Sequence, residues 1–121
     1  MILVVDDNAL NRTILMKLVR HYGFKGLTAA NGLEAVEAVT KEKDIKLVLM
    51  DLMMPVMDGD EATRKIREMK SLEDLPVIAL TADSSEDLPS KCLEAGFNEV
   101  ITKPIQKDAI EQIFTKYLKV E

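Results

Sequence analysis

The sequence predicts an α/β protein, a doubly wound parallel sheet of five strands with helices on both faces. Two observations carry that reading. Short apolar runs without alternation, such as Met1–Val5, Leu47–Met50 and Val77–Leu80, suit strands buried on both faces. Between them lie stretches with apolar residues at helical spacing, so strand and helix alternate five times. Right-handed crossovers then give a parallel sheet. A third observation concerns chemistry. The best runs end in polar residues: Asp6-Asp7, Asp51, Thr81 and, after Val100-Ile101-Thr102, Lys103-Pro104.

Met1–Val5 is the first expected strand. Asn8 caps a helix that runs to Tyr22, with Ile14, Leu15, Leu18, Val19 and Tyr22 on its inner face and Gly23 as the stop. His21, the only histidine, has no motif around it and is assigned to the surface of the last turn. Phe24–Ala29 is a weak strand interrupted by Gly26, and Asn31-Gly32 forms a turn. Leu33–Lys43 is helical, with Leu33, Val36 and Val39-Thr40 inward.

Lys46–Met50 is the third strand. Pro55 bars continuation after it. Met53, Met54, Val56 and Met57 either plug this loop against the core or form an adaptable contact surface; the first is favoured. Asp58 caps a helix to Met69, with Ala62, Ile66 and Met69 inward and Arg64, Lys65 and Arg67 solvated. Ser71–Leu75 is a polar loop before the strand Val77–Leu80. A helix follows from Ser84 or Ser85 to Ala95, with Pro89 in its first turns and Gly96 at its end. Phe97–Ile101 is the last strand. Gln106–Leu118 is the last helix, with Ile110, Ile113, Phe114 and Tyr117 inside.

At 121 residues one domain is expected, spanning 1–121. It starts almost on a strand and ends just after a helix, as a trimmed or minimal domain would. The net charge of −5 disfavours nucleic acid and anionic membrane as partners, since both select basic patches. A lone Cys92 precludes an internal disulfide and fits a reducing, cytoplasmic compartment. No apolar stretch approaches the ~20 residues of a membrane span, and no charged region precedes the first apolar run as in a signal peptide.

In open α/β sheets ligands bind beyond the C-terminal strand ends. An Asp there can simply cap a turn, but several polar strand ends favour one shared site. If the first and third strands are neighbours, Asp6, Asp7 and Asp51 crowd together. Two carboxylates ~4 Å apart repel by about 4 kcal/mol at an effective dielectric near 20. A hard divalent cation such as Mg²⁺ or Mn²⁺ relieves this and brings water and phosphate oxygens as further ligands. Lys103 offers a point charge and Thr81 a hydroxyl to a phosphate. Asp51 then stands as a carboxylate nucleophile able to carry a phosphoryl group.

Val4-Val5-Asp6-Asp7-Asn8, Met50-Asp51-Leu52-Met53-Met54-Pro55, Met57-Asp58-Gly59, Leu80-Thr81-Ala82 and Lys103-Pro104-Ile105 together resemble the response-regulator receiver domains (CheY-like) of two-component signalling. Asn11-Arg12 and Glu61-Ala62-Thr63 with Ile66-Arg67 look most like receivers of hybrid histidine kinases. The resemblance implies strand order 2-1-3-4-5 and Asp51 as phosphoacceptor. The donor would be a phosphohistidine on a histidine kinase or histidine phosphotransfer domain, with the receiver catalysing its own Mg²⁺-dependent transfer and dephosphorylation. It implies Mg²⁺ on Asp7, Asp51 and the Met53 carbonyl, with Asp6 acting largely through water. Thr81, Lys103 and the Ala82 amide would meet the phosphoryl oxygens, and the Lys103-Pro104 bond would be cis.

One departure stands out. Many members carry an aromatic three residues before the lysine, where this chain has Val100. Switching is therefore expected to rely on Thr81 and the Asp83–Pro89 segment. Two other functions on related folds fit less well. An aspartyl-phosphate phosphatase of the haloacid dehalogenase type needs an acid at position 53, which is Met. A flavodoxin-type module needs a donor-rich phosphate loop where Asp6-Asp7 stand. A degenerate receiver that only docks partners is disfavoured by the complete polar set.

Overall fold

Five strands form where the apolar runs predict them. In the computed structural model, which describes residues 1–71, 74–82 and 85–118, these are β1 (Ile2–Val5), β2 (Gly26–Ala29), β3 (Leu47–Asp51), β4 (Val77–Thr81) and β5 (Glu99–Thr102). All pair in parallel, in the order β2-β1-β3-β4-β5. The three inner strands are buried at every residue, which is why their sequences lack alternation. The edge strands β2 and β5 are only partly covered, which matches their weaker apolar runs.

The helices are α1 (Ala9–His21), α2 (Gly32–Lys41), α3 (Gly59–Met69), α4 (Leu88–Ala95) and α5 (Lys107–Leu118). They bury two separate cores, one on each face of the sheet. Val5, Val48 and Met50 pack with Ala35 and Val39 of α2, Ala62 and Ile66 of α3, and Cys92 of α4. Val4, Leu49 and Ile78 pack with Leu15 and Val19 of α1 and with Ile110 and Phe114 of α5.

Side-chain caps start three helices. Asn8 accepts from the Leu10 and Asn11 amides, and Asp58 from the Glu61 amide. Asn31, expected in a turn, is an extended N-cap instead. It accepts from Glu34 N at 2.9 Å while the Glu34 carboxylate takes the Ala30 N–H at 3.1 Å. α4 begins at Leu88, later than expected, with Pro89 in its first turn. The expected start at Ser84 lies outside the described residues, as does part of the 71–75 loop.

Several inner faces differ from expectation. In α1, Met16 is buried and Ile14 is 49% exposed. A Cβ on Gly26 would come within 2.5 Å of Met16 Cε, so the missing side chain in β2 makes room for Met16. In α2, Ala35 turns in while Leu33 and Thr40 turn out. In α3, Thr63 is buried and Met69 is 43% exposed.

The largest correction is Arg67, expected on a solvated face. It is half-buried. Its guanidinium donates to the carbonyls of Gly96 (2.7 Å), Leu75 (2.7 Å) and Ser71 (3.1 Å) and to Asn98 Oδ1 (2.8 Å). One side chain thus ties α3 to the approach to β4 and to the α4–β5 turn. Burial lowers its pKa, yet a guanidinium stays charged at neutral pH.

The loop after β3 divides its apolar residues. Met54 and Met57 pack against the core, whereas Met53 and Val56 are 80% and 76% exposed. Met57 N–H donates to Pro55 O at 2.7 Å across Val56, whose φ is 69°. This is a γ-turn with positive φ, a strained geometry for a β-branched residue. Gly59 follows closely behind the phosphoacceptor candidate. A Cβ there would lie 2.5 Å from the Asp51 carbonyl oxygen, so α3 seats against β3 only because position 59 has no side chain.

Candidate functional site

β1 and β3 are neighbours, with Val5 opposite Met50. The next residues, Asp6 and Asp51, therefore emerge side by side at the C-terminal edge of the sheet. Asp7 follows. Carboxylate oxygens of Asp6, Asp7 and Asp51 lie within 4.8 Å of one another. Asp6 and Asp51 are buried and Asp7 is exposed, so the cluster opens to solvent on one side.

Lys103 reaches this cluster from the end of β5. The Lys103-Pro104 peptide bond is cis, as expected. Lys103 N–H donates to Thr81 O at 2.6 Å, which ties the turn to the end of β4. The Lys103 Nζ stands 3.5 Å from Asp6 Oδ2 and 3.5 Å from Asp51 Oδ1. Thr81 is buried at the last position of β4, and Ala82 follows at the surface. β4 pairs with β3 so that Leu80 stands opposite Asp51. Met53 N–H makes a long contact of 3.4 Å to Asp51 Oδ1. Residues scattered from 6 to 103 are thus brought together. Of the expected switch segment, Asp83 and Ser84 lie outside the described residues.

The electrostatics are dominated by negative charge. Three carboxylates cluster, and the Lys103 ammonium pairs with two of them, Asp6 and Asp51. Burial, and then the neighbouring Asp6 charge, raise the Asp51 pKa above the ordinary carboxylate range against the opposing pull of Lys103. Asp6 Oδ1 accepts from Asn8 N at 2.9 Å. Its buried Oδ2 has no hydrogen-bond partner, the Lys103 amine being at ion-pair range only. An orphaned buried carboxylate oxygen beside two more carboxylates is a donor set that suits a hard divalent cation.

Two supporting residues are legible in the sequence only as members of the motifs that carry the resemblance, Asn11-Arg12 and Met57-Asp58-Gly59, with nothing in their residue type to show what they do. Arg12 Nη1 donates to Asp6 O at 2.7 Å and so fixes the end of β1. Its position on α1 is that of any surface cation. Gly59 gives the close approach behind Asp51, and the motif Met57-Asp58-Gly59 supplies the glycine directly after the capping Asp58.

Residues 2–115 match the sequence profile of the response regulator receiver domain. The sensor histidine kinase RcsC of Escherichia coli (strain K12) is 38% identical over 117 residues, 97% of this chain and 12% of the kinase. Hybrid signal transduction histidine kinase E of Dictyostelium discoideum is 35% identical over 119 residues, 95% of this chain and 7% of the kinase. The chain therefore spans only a small part of these relatives. Among solved structures, the receiver domain of sensor histidine kinase PA1611 from Pseudomonas aeruginosa PAO1, with magnesium in its active-site cleft, superposes with TM-score 0.87. It shares 33% identity over 98% of this chain and 96% of that one. A co-crystal of a Saccharomyces cerevisiae histidine phosphotransfer protein with the receiver domain of its downstream response regulator gives TM-score 0.89 at 30% identity. That match covers 99% of this chain and 90% of the other. No helix among the described residues is long and apolar enough to cross a membrane. With the fold, the convergent acidic cluster and these likenesses in agreement, the chain belongs to the response-regulator receiver family of two-component and phosphorelay signalling and is similar to the receivers of hybrid histidine kinases.

Proposed function

We propose that Asp51 is the phosphoacceptor of this receiver. The observation that carries this is the Lys103 amine held 3.5 Å from both Asp6 and Asp51, within a carboxylate trio close enough to hold a cation. In the proposed step an Asp51 carboxylate oxygen attacks the phosphorus of a phosphohistidine. The new O–P bond forms as the P–N bond breaks, and the electron pair returns to the imidazole. Lys103 follows the transferring group and offsets its charge, and the Thr81 hydroxyl and Ala82 amide donate to its other oxygens. Asp6, Asp7, Asp51 and the Met53 carbonyl would hold Mg²⁺, with Mn²⁺ as a substitute. When bound, the cation neutralises the acidic trio and the phosphoryl oxygens. Asp51 then loses the group to water in a reaction that the same residues assist.

The donor is a histidine kinase or a histidine phosphotransfer domain in the cytoplasm, within or beside a longer hybrid kinase. Support comes from the kinases that contain matching receivers and from the yeast complex. The exposed apolar residues Leu10, Met53 and Val56 near the acidic cluster offer such a partner a surface to dock on. A conventional phosphatase is disfavoured because position 53 carries an outward-facing Met. Switching is assigned to Thr81 and the segment after it, since Val100 replaces the usual aromatic.

Acetyl phosphate with Mg²⁺, followed by intact mass, tests the assignment. A Mg²⁺-dependent gain of ~80 Da, one phosphoryl group, is expected in the wild type and not in Asp51→Asn. An equal gain in the variant, or none in the wild type, overturns it.

A further inference from the structure

The outer edge of β2 is open. β2 ends the sheet, and among the described residues no strand lies beyond it. Ile2 N donates to Lys25 O at 2.9 Å and Asp6 N to Ala29 O at 3.1 Å. Alternate residues therefore point their backbone groups at β1, and Gly26 and Thr28 point theirs outward. The N–H of Ala30 is taken by Glu34, so the free edge is confined to that pair.

Beside this edge runs an open groove of about 470 Å³ between α1 and β2. Arg12, Lys17 and Arg20 line it from the helix, and no carboxylate lines it. Among the described residues none of these three forms an ion pair. In a chain of net charge −5, a groove whose charged lining residues are all cations is a local reversal of the molecule's field.

We propose that this edge takes an extended acidic segment of a partner polypeptide as a sixth strand. Its backbone pairs with the outward N–H and C=O groups of Gly26 and Thr28. Its alternate side chains, being carboxylates, meet Arg12, Lys17 and Arg20. Main-chain pairing supplies the geometry and the charges select the sequence. The pairing is short and the charges are solvated, so the interaction is weak and falls with added salt. The inference is independent of phosphoryl transfer at Asp51.

The test uses the ¹⁵N-labelled chain and a short end-blocked peptide alternating Glu with Val, at millimolar concentration and low salt. The Gly26 and Thr28 amides are expected to shift together. Exchanging both exposed cations, Lys17→Glu with Arg20→Glu, is expected to weaken binding about tenfold. A peptide N-methylated at alternate positions keeps its charges but cannot pair, and is expected not to bind. Silent Gly26 and Thr28 amides with the parent peptide overturn the proposal and leave the cations as guards against edge pairing. Equal binding by the N-methylated peptide, or by the charge-exchanged chain, overturns it as well.

Discussion

Two regions of this molecule take charge out of solvent, and they do so in opposite ways. Around Arg67, one guanidinium meets three carbonyls and an amide oxygen from segments on both sides of it. Every partner is neutral, and four of the five N–H donors are used. Around Asp51, three carboxylates cluster with one ammonium paired to two of them, and a buried oxygen of Asp6 has no hydrogen bond. The first arrangement holds the fold together. The second costs stability unless a cation balances it. Burial alone does not distinguish a structural charge from a functional one; the balance of partners does.

The contrast can be broken most forcefully at Arg67. Arg67→Ala leaves the Gly96 and Leu75 carbonyls without their donor, and is expected to cost about 3 kcal/mol in urea unfolding. Arg67→Lys keeps the charge but loses the planar fork, and is expected to fall between the two. Phosphoryl uptake by the folded fraction of either variant should persist. If Arg67→Ala unfolds at the wild-type midpoint, the clamp is not structural.

Asp51→Asn should move stability the other way. Removing one of three crowded charges is expected to stabilise the metal-free protein by about 1–2 kcal/mol. The same change should erase the stabilisation that Mg²⁺ gives the wild type. Thermal unfolding with and without Mg²⁺ reads both effects. A destabilised variant would mean that Asp51 is as well satisfied as Arg67.

Val56 sharpens the comparison with a backbone case. Its φ of 69° is strained for Val and free for Gly. Val56→Gly is expected to gain about 0.5–1 kcal/mol after the extra chain entropy of glycine is subtracted. Denaturant midpoints will show it.

The smallest effect is expected at Glu99 on the β5 edge. Burial works against its ionisation, but hydrogen bonds from Lys116 (2.7 Å) and Tyr117 outweigh it and hold its carboxyl below the ordinary range. A depressed folded pKa contributes stability above the unfolded value, and that stability is lost as pH falls through the folded one. For a pair this exposed, Glu99→Gln should cost less than ~1 kcal/mol at neutral pH and flatten the acid limb of the stability profile.

The sequence made the acidic cluster legible because unbroken apolar runs stop abruptly at polar residues, and a parallel sheet carries those ends to one side. Asp6, Asp7, Asp51, Thr81 and Lys103 could be found that way. Arg67 could not. Its partners are mostly backbone carbonyls, which every residue has, and its neighbours Arg64 and Lys65 are indeed exposed. The outward turn of Ile14 escaped for a related reason. Which side of α1 sinks depends on space opened by Gly26 in a different element. Asn31 was ambiguous because turns and helix caps favour the same residue.

The Arg67 clamp also binds the history of two positions. Gly96 ends α4 with φ of 109°, and a Cβ placed there would sit 2.6 Å from Arg67 Cγ. A larger residue at 96 must displace the arginine, and losing the arginine strips the Gly96 carbonyl of its donor. Because a φ of 109° strains any L side chain at 96 whether or not the arginine is present, a change at 67 does not free position 96, and each position holds the other's neighbourhood fixed.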